Sequence, residues 1–281
     1  MIYFFCKVAF LKSICFLSLL FSQEMQVKYV IEFSWDMKLL GEVTTKREQY
    51  VAPGFFKKNS KINPENWVLR RMFNKDNGEI MIAGEKNILK YDNKEEEYWL
   101  ITIDEYFKKS EKDTIANRTS ERDLFFSDVF EEFFENSDDK FSIQRENTSQ
   151  VENINGLRAK KWNTTIQNSR QKLFFEEWLV KELPLKDTLD SLKIDLMEKF
   201  NPNQHQNSNT SFILSSDIFV KIADSTIILD PLDGKIVQAK MYCEHEFLKS
   251  ISFEIKELYT SSFDASSFTI PEKYNHINKD D

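Results

Sequence analysis

Aromatic and branched residues recur at every second position at the start of the chain: Val27, Tyr29, Ile31, Phe33 and Trp35, with Lys28, Val30, Glu32 and Ser34 between them. A period of two is the signature of a β-strand, here with one aromatic-rich face. Further strands are predicted at 41–51, 67–74, 79–84, 86–92 and 96–103, separated by turn signals at Asn77-Gly78, Gly84-Glu85 and Asp92-Asn93. Strands this close together pair as antiparallel neighbours. The crossover helices that a parallel, doubly wound sheet requires have no room between them.

The pattern changes to a helical period twice. Ser120 followed by Asp123 reads as a helix start, and from there to about Glu135 Phe126, Val129, Phe130, Phe133 and Phe134 share one face, with Asp128, Glu131, Glu132 and Glu135 on the other. Leu189, Leu192, Leu196 and Phe200 give a second helix over 187–200, entered after Leu183-Pro184 closes a strand. Between and after these helices strands are expected at 141–147, 157–167, 171–180, 212–222, 225–230, 235–244 and 250–259, with Pro231-Leu-Asp-Gly234 as a hairpin turn. The segment 201–211 has no apolar residue and reads as a mobile polar loop, and 276–281 as a frayed tail. The fold class expected is mainly β, of α+β type, with antiparallel pairing and one domain over 23–275.

Residues 1–22 stand apart from this pattern. Lys7 and Lys12 precede an almost wholly apolar run from Ser13 to Ser22, the layout of a secretory signal peptide cleaved near Ser22-Gln23. An uncleaved anchor is the competing reading, but the run after Lys12 is about half the ~20 residues of a spanning helix. Export would place the protein in the periplasm or cell envelope, or outside the cell as a secreted protein. It would also remove Cys6 and Cys15, leaving Cys243 as the one cysteine and no internal disulfide, so a hydrophobic core must hold the fold.

Composition narrows the function classes. With 38 basic against 46 acidic residues and a net charge of -8, the chain is not built to grip nucleic acid, which depends on neutralising phosphates. Known chemistry-bearing motifs are absent: there is no glycine-rich phosphate loop, zinc-spaced cysteine pair, His-Glu-x-x-His or nucleophile elbow. His205 has no ligand-spaced partner, His245 would share a strand face with Cys243 but no third orienting group is identifiable, and Glu176-Glu177 and Glu244/Glu246 are the carboxylate pairs that glycoside chemistry would draw on. No nucleophile and base can be paired from these residues. The expectation is a protein that is not an enzyme, with no metal and no cofactor.

Three stretches resemble a known group. Val151-Glu-Asn-Ile-Asn-Gly-Leu-Arg-Ala-Lys-Lys-Trp162 with the strand ending Glu177-Trp178-Leu-Val-Lys-Glu-Leu-Pro184, the closing Phe263-Asp-Ala-Ser-Ser-Phe268-Thr-Ile-Pro271-Glu-Lys-Tyr274, and the opening Val27-Lys-Tyr-Val-Ile-Glu-Phe33 after a signal peptide are similar to bacterial exported GLPGLI-type proteins and the related lipoprotein-carrier half-barrels. The Gly-Leu-Pro-Gly-Leu-Ile signature itself is absent, its place after Pro184 taken by the 187–200 helix and the polar loop. The resemblance implies a strongly curved antiparallel sheet, a half-barrel, whose concave apolar face is covered by two or three helices and receives acyl chains in the carrier relatives.

A curved sheet with an aromatic face needs something to fill it. The residues that would line a lipid or acyl ligand are Tyr29, Ile31, Phe33 and Trp35 of the first strand, Trp99, Trp162 and Trp178 as anchors, and Phe126, Phe130 and Phe133 of the 120–135 helix. Packing is the commoner fate of aromatic stripes. The alternative is therefore an envelope structural or interaction protein with a filled core, engaging a protein partner through its acidic surface or strand edges.

Overall fold

The computed structural model describes residues 25–108, 140–201, 214–223, 229, 232–244 and 247–279. Its strands are β1 (Met25–Met37), β2 (Gly41–Ala52), β3 (Phe55–Pro64), β4 (Asp76–Ile82), β5 (Asn87–Asp92), β6 (Glu97–Thr102), β7 (Ser142–Ile154), β8 (Leu157–Gln167), β9 (Lys172–Val180), β10 (Lys235–Cys243), β11 (Leu248–Ser262) and β12 (Asn275–His276). The helices are α1 (Trp67–Phe73), α2 (Pro184–Phe200) and α3 (Ser216–Ala223), with a helical stretch at 103–108 and a 3-10 turn at Ala265–Phe268.

All twelve strands belong to one open sheet, in the order β12-β6-β5-β4-β3-β2-β1-β11-β10-β9-β8-β7. Two antiparallel meanders, β1 to β6 and β7 to β11, are joined where β1 pairs with β11 from Met25↔Ser262 to Met37↔Leu248. The first strand therefore sits in mid-sheet and is buried on both sides, Tyr29 and Ile31 at 1% exposure on one and Val30 at 0% on the other. The β12 pairing with β6 is parallel.

Each face has its own core. On the first, Val27, Tyr29, Ile31 and Phe33 pack with Val51, Phe56, Met81, Phe175 and Phe253, joined by Leu189 and Leu196 of α2 and by Phe219 and Val220 of α3. The Phe33 and Phe253 rings, opposite one another across β1 and β11, have centroids 5.1 Å apart. On the second face, Tyr50, Ala52, Phe55, Ile80, Ile82, Leu89 and Tyr91 are covered by the chain after β11, through Phe263, Phe268, Ile270 and Tyr274. Asp264 starts that strap by accepting from the Ser266 N–H at 3.0 Å, and Phe55 lies against both Phe263 and Phe268 at centroid distances of 5.0 and 5.4 Å. No helix among the described residues is long and apolar enough to cross a membrane.

Several local expectations are corrected. Residues 67–74 form α1 rather than a strand: Asn66 caps the helix by accepting the Val68 N–H at 2.8 Å, and Leu69 is buried against Val43 and Ile62. Of 212–222, the part from Ser216 is α3, where Phe219 and Val220 are adjacent and both buried, as a helix flank permits and a one-sided strand does not. β3 was not expected at all. Its run of Lys57, Lys58 and Lys61 conceals the alternation of Phe56 and Ile62, both inside. Asn77-Gly78 is strand, not turn, because the Tyr91 hydroxyl crosses Gly78 to donate to Asn59 Oδ1; a Cβ on Gly78 would stand 2.3 Å from that hydroxyl. β7 runs on to Ile154 past an irregularity between Asn147 and Val151. His276, assigned to a frayed tail, is held in β12 by the Asn275 and Ile277 N–H groups, which donate to the Glu96 and Tyr98 carbonyls at 2.9 Å.

The 1–22 signal segment, the 120–135 helix with Phe126, Phe130 and Phe133, and the 201–211 loop apart from Asn201 lie outside the described residues, as do the 225–230 strand apart from Leu229, and His245 and Glu246.

Candidate functional site

Residues directly opposite in an antiparallel sheet point to the same face, so the register defines rungs across the strands. One rung of the first face runs Tyr29 (β1), Gln49 (β2), Lys58 (β3), Glu79 (β4), Lys90 (β5), Trp99 (β6). Its neighbour two residues along is apolar: Val27, Val51, Phe56 and Met81. An apolar tract thus borders a charged rung on the same face.

Glu79, 7% exposed, is the centre of that rung. Lys58 Nζ donates to its Oε1 at 2.7 Å, and the Tyr106 hydroxyl, from the 103–108 helix, donates to the same oxygen at 3.5 Å. Burial alone would push the carboxyl up. The Lys58 charge and hydrogen bond, with Lys90 and Lys193, outweigh it and hold Glu79 below its ordinary value. Lys193 comes from α2 above the sheet, its ammonium 5.5 Å from the centroid of Phe56. Burial, then the Lys58 and Lys186 charges, lower its pKa, while Glu79 and Asp190 offset this in part. Lys186 on the same helix has its own carboxylate in Asp190, one turn on, and lies over the Tyr29 ring at 5.5 Å.

The second buried carboxylate of the first face is Glu177 on β9, at 0% exposure. It accepts the Ser216 N–H at 2.8 Å and the Ser216 hydroxyl at 2.6 Å, so it holds the N-terminal end of α3 on the sheet. Arg145 of β7 completes the set, donating to Thr164 Oγ1 at 3.2 Å, Ser216 Oγ at 3.0 Å and Asp217 Oδ1 at 2.6 Å. Burial raises the Glu177 pKa, and the Ser216 donors and Arg145 counter it incompletely. Because these donors and acceptors are spent on one another, the network positions a helix rather than offering itself to a ligand.

The candidate ligand residues separate in space. Tyr29, Ile31, Phe33 and Trp35 share the first face, as their period requires; the first three are core and Trp35 is half-buried against it. Trp162 is on the same side, linked by one rung to Phe33 through Phe253, Ala239 and Glu177. Trp178 alternates with Glu177 along the strand and stands opposite Lys161, whose ammonium is 5.0 Å from its ring centroid, yet it is 8% exposed and belongs to the same core cluster as Tyr29 and Phe33. Trp99 ends the charged rung, five strands from Tyr29 and hence about 24 Å away measured along the sheet, and Lys279 Nζ lies 3.7 Å from its ring centroid.

Glu176 and Glu177 point to opposite faces: Glu176 binds Lys161 and the Tyr242 hydroxyl, Glu177 is sealed beneath α3, and the two cannot share a substrate. Cys243 is buried, its thiol 3.4 Å from the Leu248 carbonyl oxygen as donor. Among the described residues no group of three His, Cys, Asp or Glu side chains is placed to hold a metal ion. Sequence reading missed Lys58, Glu79, Lys90 and Lys193, since a lysine in a polar run gives no sign that it faces inward. The signal available was their spacing: Lys186, Leu189, Lys193, Leu196 and Phe200 share one helical stripe.

No family model matches the chain, and no curated protein matches it.

Proposed function

We propose that this is an exported, non-catalytic protein of the periplasm or envelope that binds a hydrophobic ligand, a lipid or acyl chain, between the first face of its sheet, curved as a half-barrel, and the helices packed over it. The observation that supports the reading is the sheet-facing stripe of α2, where Lys186 and Lys193 interrupt Leu189, Leu196 and Phe200. A helix that merely closed a core would present unbroken apolar surface; one bearing two ammonium groups toward the sheet is held more weakly and suits an interface that opens. The ligand would lie along the aromatic side chains of β1.

The second reading, an envelope structural or interaction protein with a filled core, is favoured by one observation: Tyr29 and Ile31 are already 1% exposed. Native mass spectrometry of the purified protein before and after delipidation separates the two. A reproducible co-purifying lipid, with a rise in melting temperature when it is added back, is the result expected of a binding protein. No adduct and no shift with phospholipid or acyl peptide would leave the filled core.

A further inference from the structure

The charged rung carries more positive charge than its neighbours compensate. Lys58 and Lys193 share one carboxylate, Glu79. Lys186 does not draw on it, having Asp190. Lys193 Nζ has no carboxylate within ion-pair distance among the described residues and rests instead against the Phe56 ring at 5.5 Å. Lys58, Lys193 and Glu79 taken together leave one positive charge beneath α2 and beside the apolar tract of the sheet, with Lys90 next to Glu79 on the same rung.

The Lys58 side chain is 34% exposed and Lys193 half-buried, so this charge is partly desolvated and gains from an anionic partner. Ammonium groups have three donors each, so Lys58 can keep its bond to Glu79 and still donate elsewhere. The rung two residues away, about 7 Å along the strands, is wholly apolar at Val27, Val51, Phe56 and Met81. A single anionic group attached to an apolar chain meets both surfaces at once, and a free small anion meets only one. We propose that Lys58 and Lys193 bind the carboxylate end of a fatty-acid-like amphiphile whose chain occupies the first face. This rests on the binding function proposed above and assigns the chemistry of its ligand's polar end.

The test uses the delipidated full-length mature protein, titrated at pH 7 with oleate, oleyl alcohol and acetate, following intrinsic tryptophan fluorescence. Oleate should bind at least tenfold more tightly than oleyl alcohol, and acetate should neither bind nor displace oleate at comparable concentration. Lys193→Met should cut the preference for oleate at least fivefold and leave the affinity for the alcohol unchanged. Lys58→Met should act in the same direction. Equal affinity of the wild type for the two amphiphiles, or a preference that survives in Lys193→Met, would overturn the anion site while leaving a hydrophobic-ligand protein standing. Binding of neither amphiphile would overturn both proposals. Displacement of oleate by equimolar acetate would overturn the assignment to an amphiphile.

Discussion

Replacing Lys193 by methionine should make the ligand-free protein more stable. The substitution keeps an unbranched side chain of similar length on the sheet-facing stripe of α2 and removes a charge that sits beside the Lys58 and Lys186 ammonium groups. Replacing whole buried ion pairs by apolar groups ranges from neutral to a gain of about 1–4 kcal/mol. Lys193 is half-buried and partly offset by Glu79 and Asp190, so the low end applies. The lost contact with Phe56 costs about 0.5 kcal/mol, and a thioether against the same ring recovers much of it. The net expectation is a gain of about 1 kcal/mol at pH 7, or about 2–4 °C in melting temperature for a chain of this size. The pH dependence gives a second check with a definite sign. Lys193 has a folded-state pKa below its ordinary 10.5, so between the two values the unfolded chain binds more protons than the folded one, and wild-type stability rises with pH. The advantage of Lys193→Met should therefore shrink from pH 7 toward pH 10 in paired urea titrations, where titrations common to both proteins cancel. A methionine variant that is less stable at pH 7, or a difference that does not move with pH, would refute the unmatched charge.

Phe268→Ala empties the centre of the strap across the second face, where Phe268 is 3% exposed between Phe55 and Phe263. It should cost about 3 kcal/mol and expose the Asn275 and Ile277 amides to hydrogen exchange, whereas full protection of both would show that β12 holds without the strap. Glu177→Gln tests the α3 anchor: the folded pKa of Glu177 is raised above 4.5, so the folded state binds the extra proton and the stability linked to this group is greatest below that value and falls as pH rises through the folded pKa. Wild type should accordingly gain on Glu177→Gln as pH is lowered from 7 to 4 in paired denaturation curves, and a constant difference would mean that Glu177 titrates normally.

The strands with a clean period were legible from the chain alone, and β1, β2, β8 and β9 fall within a few residues of their predicted bounds. What was hidden has physical causes. β3 pairs on both sides, so its backbone is satisfied whatever its side chains; Phe56 and Ile62 fill the core while Lys57, Lys58 and Lys61 keep the composition polar. α1 and α3 are short and apolar, the case in which periodicity fails to distinguish a helix from a strand. The Asn66 cap of α1 was the better signal and stood in plain sight. The aromatic stripe of β1 was correctly placed on one face, but which tryptophans join it depends on register. Trp162 and Trp178 stand in adjacent strands, opposite Glu177 and Lys161 respectively, and only the pairing shows which residue each one meets.

The charged rung also gives the first face a direction. Along β2, β3 and β4 the side chains pointing to that face change from Val51, Phe56 and Met81, through Gln49, Lys58 and Glu79, to Arg47, Ser60 and Asn77. Each step is one pleat repeat, about 7 Å. Along β1 the same face stays apolar from Val27 through Tyr29, Ile31 and Phe33 to Trp35. This polar region lies in the first meander, apart from the Glu177 and Arg145 network under α3 in the second, and it borders an apolar tract that continues through Phe253, Ala239 and Met241. A structural core gains nothing from such a boundary, because each inward polar group must find a partner there. An amphiphile gains at both ends, which sets the orientation expected of a bound chain: its carboxylate at Lys58 and Lys193, and its tail crossing β1 toward β11 and β10.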